Sequence, residues 1–215
     1  MAVTERSFGR LVNHDPRSRA YLAPRTPDAG PVVHKIYGQV LDQGNLGSCV
    51  ANAATHALNA QGYKKWYEWP RTEKFAVAVY GEATALDPFP GTYPPEDTGT
   101  DANSLCKALR ARRLIRGWGH VFDPGHLRGA IQLHPVLVGF EFDEGFANPD
   151  ANGIVSPGGK VLGGHETLIY GWDGKNYWVR NSWGPSWGKG GDYFVSEDHL
   201  WEKLSAQGDA TVLVR

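Results

Sequence analysis

The feature that most constrains this chain is a change of texture near residue 124. Before it the sequence reads as helices. CVANAATHALNAQ (49–61) is alanine-rich and stops at Gly62, a second helical stretch covers 71–85, and DANSLCKALRARR (101–113) places Leu105, Ala108 and Leu109 on one side with Cys106 beside them. After it come short β-like runs separated by turns: PVLVGFEF (135–142), HETLIYGWD (165–173), NYWVRNSW (176–183) and GDYFVSE (191–197). Helices followed by strands, rather than alternating with them, predict an α+β protein, with a helical lobe over about 38–123 and a strand-rich lobe over about 124–215. A cleft between two such lobes is a common place for a ligand. Residues 1–37 are polar and proline-dotted, and read as an extended arm on the globular body or as a partly disordered tail.

Composition narrows the partners. The net charge is −1, from 22 basic and 23 acidic residues with no run of five like charges, so nothing marks nucleic acid or an anionic membrane as a partner. No apolar stretch has the length of a membrane span, and the opening residues lack the apolar segment of a secretory signal, which predicts a cytoplasmic protein. In that setting Cys49 and Cys106 are expected to be free thiols, and Cys106 to act as a small buried hydrophobe. The 27 glycines and 14 prolines predict long ordered connections, held down by eight tryptophans and nine tyrosines. No repeat of 20–50 residues is visible, and oligomeric state is not legible.

Chemistry concentrates around DQGNLGSCVAN (42–52). A cysteine opening the 49–61 helix lies where unpaired N–H groups and aligned peptide dipoles favour negative charge, so Cys49 is expected to have a lowered pKa and nucleophilic character. Such a thiol needs a base, a group to orient the base, and donors for an oxyanion. Seven of the eight histidines lack a supporting motif; HVFDPGH (120–126) combines His120, Asp123 and His126, a poor metal signal, and no metal is expected. His165 differs, because Gly163 and Gly164 clear space before it and it opens a β-like run. A tight turn at 173–175 then folds the next run back, which brings Asn181 near His165 and sets Trp183 over the pair.

These residues resemble the papain-like cysteine peptidases. QGNLGSC (43–49), GGH (163–165) and NSWGPSWGKGGDY (181–193) match that family's three motifs in the same order. The resemblance implies a papain-like two-lobe fold and a Cys-His-Asn triad. Cys49 is the implied nucleophile, His165 its proton partner, Asn181 the orienting residue, and Gln43 an oxyanion donor together with the backbone N–H of Cys49. It implies a protein or peptide substrate, thioester chemistry and no cofactor. Gly99, Thr100 and Asp101 stand where the family clamps substrate backbone, and Gly164 and Trp183 at the cleft wall. There are departures: Leu46 replaces a cysteine that forms a disulfide in secreted members, Val50 and Ala51 replace usual residues after the nucleophile, and no long propeptide precedes Gln43. Glu166 replaces a small residue after the histidine, and its carboxylate either raises the His165 pKa or, as strand alternation favours, points away along the strand. The missing disulfides and export signal resemble bacterial and phage members, for which a virion-associated or delivered protein is a further expectation. Alternatives within the same fold are a hydrolase of cell-wall peptides or amides, and a non-enzymatic virion or effector binding module.

Overall fold

The computed structural model describes residues 7–63, 65 and 68–215, so the first six residues of the expected arm and three in the 64–67 segment lie outside it. In chain order the elements are α1 (Pro16–Arg19), β1 (Val32–Val33), α2 (Cys49–Leu58), α3 (Glu73–Thr84), α4 (Ala102–Ala111), β2 (Gly117–His120), α5 (Pro124–Leu133), β3 (Val136–Asp143), α6 (Glu144–Ala147), β4 (Val161–Trp172), β5 (Asn176–Arg180), β6 (Asp192–Ser196), α7 (Glu197–Ser205) and β7 (Asp209–Val214). The architecture is α+β.

One antiparallel sheet organises the molecule, in the order β2-β7-β3-β4-β5-β6, with β1 added to β4. Strand alternation gives this sheet two apolar faces. Leu137, Leu168 and Leu213 point to the helical side, where they pack with the alanines of α2, with Tyr80 of α3, and with Leu105, Cys106 and Leu109 of α4. Val136, Val138, Phe140 and Ile169 point the other way, against Leu127 and Ile131 of α5, Leu200 of α7, Trp183 and Tyr193. The sheet is therefore the wall between two cores. The alanine content of α2 lets this helix lie close to β4, and every residue in it is buried.

Local signals terminate the helices that matter. Asp101 caps α4 by accepting from the Ser104 N–H at 2.9 Å, and Asp123 caps α5 through His126 N–H at 2.7 Å, with Pro124 in the first turn. His120 bonds Ser18 (2.8 Å) and Thr211 (3.2 Å), while His126 bonds the Ala23 carbonyl (2.9 Å), so HVFDPGH fastens the amino-terminal segment to the body. That segment is built into the fold: Ala23 lies in the core, and β1 extends the sheet.

Candidate active site

Cys49 is the first residue of α2, and its backbone N–H therefore has no intrahelical acceptor. Its sulfur lies close to the backbone N–H groups of Glu166, Gly9 and Val50. The first of these ties the helix mouth to β4, since Glu166 follows His165. The β4–β5 hairpin turns at 173–175 and returns the chain so that His165 Nε2 meets Asn181 Oδ1 at 2.8 Å. Asn181 Oδ1 also accepts the Ser182 N–H at 2.7 Å. An atom that accepts a backbone N–H is the amide oxygen, so His165 Nε2 carries the proton and Nδ1 is left as the basic nitrogen. Nδ1 is buried and has no hydrogen-bond partner among the described residues. Trp183, buried and tilted 34° to the imidazole with ring centroids 4.8 Å apart, roofs the pair, while Phe142 meets it edge-on at 4.6 Å.

Gln43 is fixed on three sides. Its Oε1 accepts Ser182 Oγ–H at 2.7 Å, and its Nε2 donates to Leu46 O at 2.8 Å and Ser7 O at 3.2 Å. The loop carrying it is secured by a residue that the sequence did not single out. Asp97 accepts the Gly47 N–H at 2.9 Å and the Tyr80 hydroxyl at 2.5 Å, and the same hydroxyl accepts Gly99 N–H at 2.9 Å. This network, with Leu46 packed on the helical core, holds the loop that a disulfide was expected to anchor in secreted relatives. Both cysteines are free and buried.

The charge state is the reverse of the expectation from the helix dipole. Burial pushes the Cys49 thiol up to about 12, with the nearby Glu166 carboxyl adding to the rise and the surrounding N–H groups only partly offsetting it. Burial likewise pushes His165 down to about 4, against the opposing effect of its Asn181 bond. Both groups are neutral at pH 7, because desolvation disfavours each charged form and outweighs the dipole of one helix end.

What buries them is the chain's own segment 7–11, which runs through the cleft. Ser7 lies at Gln43; Phe8 contacts the rings of His165 (5.7 Å) and Trp183 (5.8 Å); Gly9 sits against Cys49 and Gly47, so close that a Cβ on it would collide with the Gly47 carbonyl. Arg10 N–H donates to Gly164 O at 2.9 Å, Leu11 N–H to Thr100 O at 2.9 Å, and Thr100 N–H to Gly9 O at 2.8 Å. Thr100 and Gly164 thus grip a peptide backbone, here the protein's own. Gly99 contributes its bond to Tyr80, and Asp101 uses its side chain to cap α4. Glu166 does point away from His165, and its carboxylate faces Arg10. A cavity of about 410 Å³ opens beyond Asp209, between Leu11 and His14 of the segment and Asn103 and His120 of the body; Cys49 and His165 do not line it.

The sequence profile described as papain family cysteine protease matches residues 98–203, a span that includes His165 and Asn181 but not Cys49. Among curated proteins, cathepsin B-like cysteine proteinase 6 of Caenorhabditis elegans is 44% identical over 65 residues, 28% of this chain and 17% of that protein. Cysteine endopeptidase Rep1 of Oryza sativa subsp. japonica is 35% identical over 112 residues, 45% of this chain and 29% of that one. The chain spans less than a third of the length of these relatives. Among solved structures, xylellain, a cysteine protease from Xylella fastidiosa, superposes with a TM-score of 0.71 at 19% identity, covering 98% of this chain and 96% of that one. Digestive procathepsin L 3 of Tenebrio molitor gives 0.64 at 15% identity, over 99% and 77%.

Proposed function

Because this chain belongs to the papain family of cysteine proteases, we propose that it hydrolyses peptide bonds in protein or peptide substrates through a thioester on Cys49. The observation that carries this reading is the fixed tautomer of His165: Asn181 Oδ1 accepts the Nε2–H hydrogen bond at 2.8 Å, which leaves Nδ1 buried and proton-free, while Glu166, the next residue on β4, brings its N–H to the Cys49 sulfur. When water and substrate replace segment 7–11, His165 Nδ1 takes the thiol proton and the sulfur attacks the substrate carbonyl carbon. The oxygen that becomes negative is received by Gln43 Nε2 and the free N–H of Cys49. His165 then returns the proton to the leaving nitrogen as the C–N bond breaks. In the second half, His165 removes a proton from water, the resulting hydroxide attacks the thioester, and the carboxylic acid departs as the thiol is restored. Asn181 orients His165 throughout, and Trp183 keeps water from their bond.

The test is cleavage of a denatured protein mixture by the full chain, with new peptide termini read by mass spectrometry. Cys49→Ser and His165→Ala are each expected to remove the new termini. Cleavage that survives Cys49→Ala overturns the assignment. The occupied, neutral cleft also fits a silent binding module, and that reading requires that no thioester or alkylated Cys49 forms under any condition in which segment 7–11 has been displaced.

A further inference from the structure

The cavity of about 410 Å³ beyond Asp209 is a second enclosure, separate from the catalytic groups: Cys49, His165 and Glu166 do not line it. One wall is the amino-terminal segment, with Leu11, His14 and Arg19. The other is the body, with the start of α4, the end of β2 and the turn that leads into β7. Three residues of this lining carry buried polar atoms without a hydrogen-bond partner among the described residues. Asp101 gives one oxygen to the Ser104 N–H as helix cap and keeps Oδ2 unpartnered. Asp209 gives Oδ2 to Arg10 and keeps Oδ1 unpartnered. Asn103, only 4% exposed, has neither its amide oxygen nor its amide N–H₂ bonded. Neighbouring groups are already committed: Asp15 to Arg17, His120 to Ser18 and Thr211, and Arg19 over the Phe122 ring at 5.2 Å. A buried polar atom left unbonded is destabilising, so several around one cavity point to an occupant that bonds them.

The open atoms define that occupant. Two are carboxylate oxygens and one is an amide oxygen, and such a set of acceptors calls for a positively charged group with several N–H donors. Burial pushes His14 and His120 below the ordinary histidine value, so neither adds an opposing charge at pH 7. The remaining open group, the Asn103 N–H₂, is a donor in the first turn of α4, whose backbone N–H groups also lack intrahelical acceptors. An oxygen acceptor on the ligand belongs there. Leu11, Phe122, Trp201 and Leu204 supply apolar wall. We propose that this cavity binds an effector, a small primary amine with an oxygen acceptor and an apolar body, in chemical class an amino-acid amide or amino alcohol. Asp101 Oδ2, Asp209 Oδ1 and Asn103 Oδ1 receive its ammonium, and Asn103 Nδ2 donates to its oxygen. A volume of about 410 Å³ is that of a small-ligand pocket. Because the segment forms one wall, lifting it removes the site, so the ligand binds the closed molecule and slows exposure of Cys49. The site does not depend on the peptidase reading.

Two measurements test this. The first is isothermal titration of leucine amide into full-length Cys49→Ala protein, with N-acetylleucine amide, which lacks the ammonium, as the comparison. A single equivalent of leucine amide is expected to bind and the acetylated amide is not. Affinity is expected to fall at least tenfold in Asp101→Asn, which keeps the α4 cap, and in Asn103→Leu. Equal binding of both amides, affinity unmoved by either substitution, or no binding of leucine amide, which leaves the cavity to water alone, overturns the site. The second measurement labels Cys49 with iodoacetamide in the parent protein. Its rate is expected to fall by one plus the ratio of ligand concentration to Kd, about elevenfold at ten times the titrated Kd, and by no more than about twofold in Asp101→Asn at the same concentration. Binding that leaves the Cys49 rate unchanged, or slows it equally in Asp101→Asn, overturns the assignment of the segment as one wall of the site.

Discussion

Replacing Arg10 by alanine is expected to expose Cys49 without unfolding the protein. Arg10 makes charge-assisted hydrogen bonds to Asp209 and a further bond to Gln207 O, in a site where it and Glu166 are both buried. Breaking a buried ion pair typically costs about 3–5 kcal/mol, because the remaining charge is stranded. Here the stranded carboxylates regain water once segment 7–11 lifts away, so the lower end applies. A loss of about 3 kcal/mol in docking raises the population of the open state by roughly 150-fold. Cys49 is unreactive while docked, since its thiol is pushed up to about 12 by burial, and alkylation must wait for opening. Iodoacetamide labelling at pH 8, followed by intact mass, should therefore accelerate at Cys49 by about two orders of magnitude on the same conversion. Cys106 supplies the control inside the same molecule: it is buried in the helical core on α4 and reacts only when that core opens. Acceleration at Cys49 alone supports local release. A Cys49 rate within about threefold of the parent protein, or equal acceleration of both thiols, refutes the argument that Arg10 holds the cleft shut.

Three other outcomes follow from the geometry. Gln43→Ala and Asn181→Ala are each expected to lower kcat on a cleavable peptide, Gln43→Ala by about a hundredfold or more through loss of an oxyanion donor, measured as initial rates at saturating substrate. Asp97→Ala strands the Gly47 N–H and the Tyr80 hydroxyl and should cost about 1–3 kcal/mol in urea unfolding, with Cys49 labelled faster because its loop is loosened. His56 accepts the Leu41 N–H at 3.2 Å and burial pushes it down to about 3, from an ordinary 6.5. A depressed folded-state pKa means that its contribution is present above pH 6.5 and lost as pH falls toward 3. Stability should thus drop by about 2 kcal/mol between pH 7 and 5 through this residue, and His56→Gln, which keeps an acceptor, should flatten that part of the urea-midpoint profile.

Elements defined by local pattern were legible in the sequence. The 49–61 helix is Cys49–Leu58, the 101–113 helix is Ala102–Ala111 with Asp101 as cap, and the turn at 173–175 joins β4 to β5. Helix α5 carries a local signal, aspartate followed by proline as N-cap and first turn, but in HVFDPGH the same Asp123 also stands between two histidines, so the metal-like pattern masks the cap. Strand β7 is short and gains its identity from pairing with β2 and β3 rather than from its own alternation. The carboxylate pair around Arg10 could not be read at all from local pattern. Glu166, Gly139 and Asp209 are brought together by strand order, and no spacing in the chain announces that a glycine will stand between two carboxylates.

The error in the sign of the Cys49 shift shows what separates geometry from charge at this site. Helix position fixes where the sulfur is, and the Asn181 bond fixes which nitrogen of His165 is basic; both are present in the closed molecule. Neither can produce an ion pair while Phe8 and Gly9 exclude water, because a thiol at about 12 and an imidazole at about 4 place the proton on sulfur by some eight pH units. A helix end is worth at most about 2 kcal/mol, against roughly 7 for the widening of that gap beyond the ordinary values of 9.0 and 6.5, at about 1.36 kcal/mol per pH unit. Solvent access therefore dominates dipole here by several-fold. The consequence is that the residues governing reactivity at Cys49 are those that admit or exclude water, Phe8, Gly9 and the Arg10 anchor, while the residues at the helix mouth govern only where the reaction takes place.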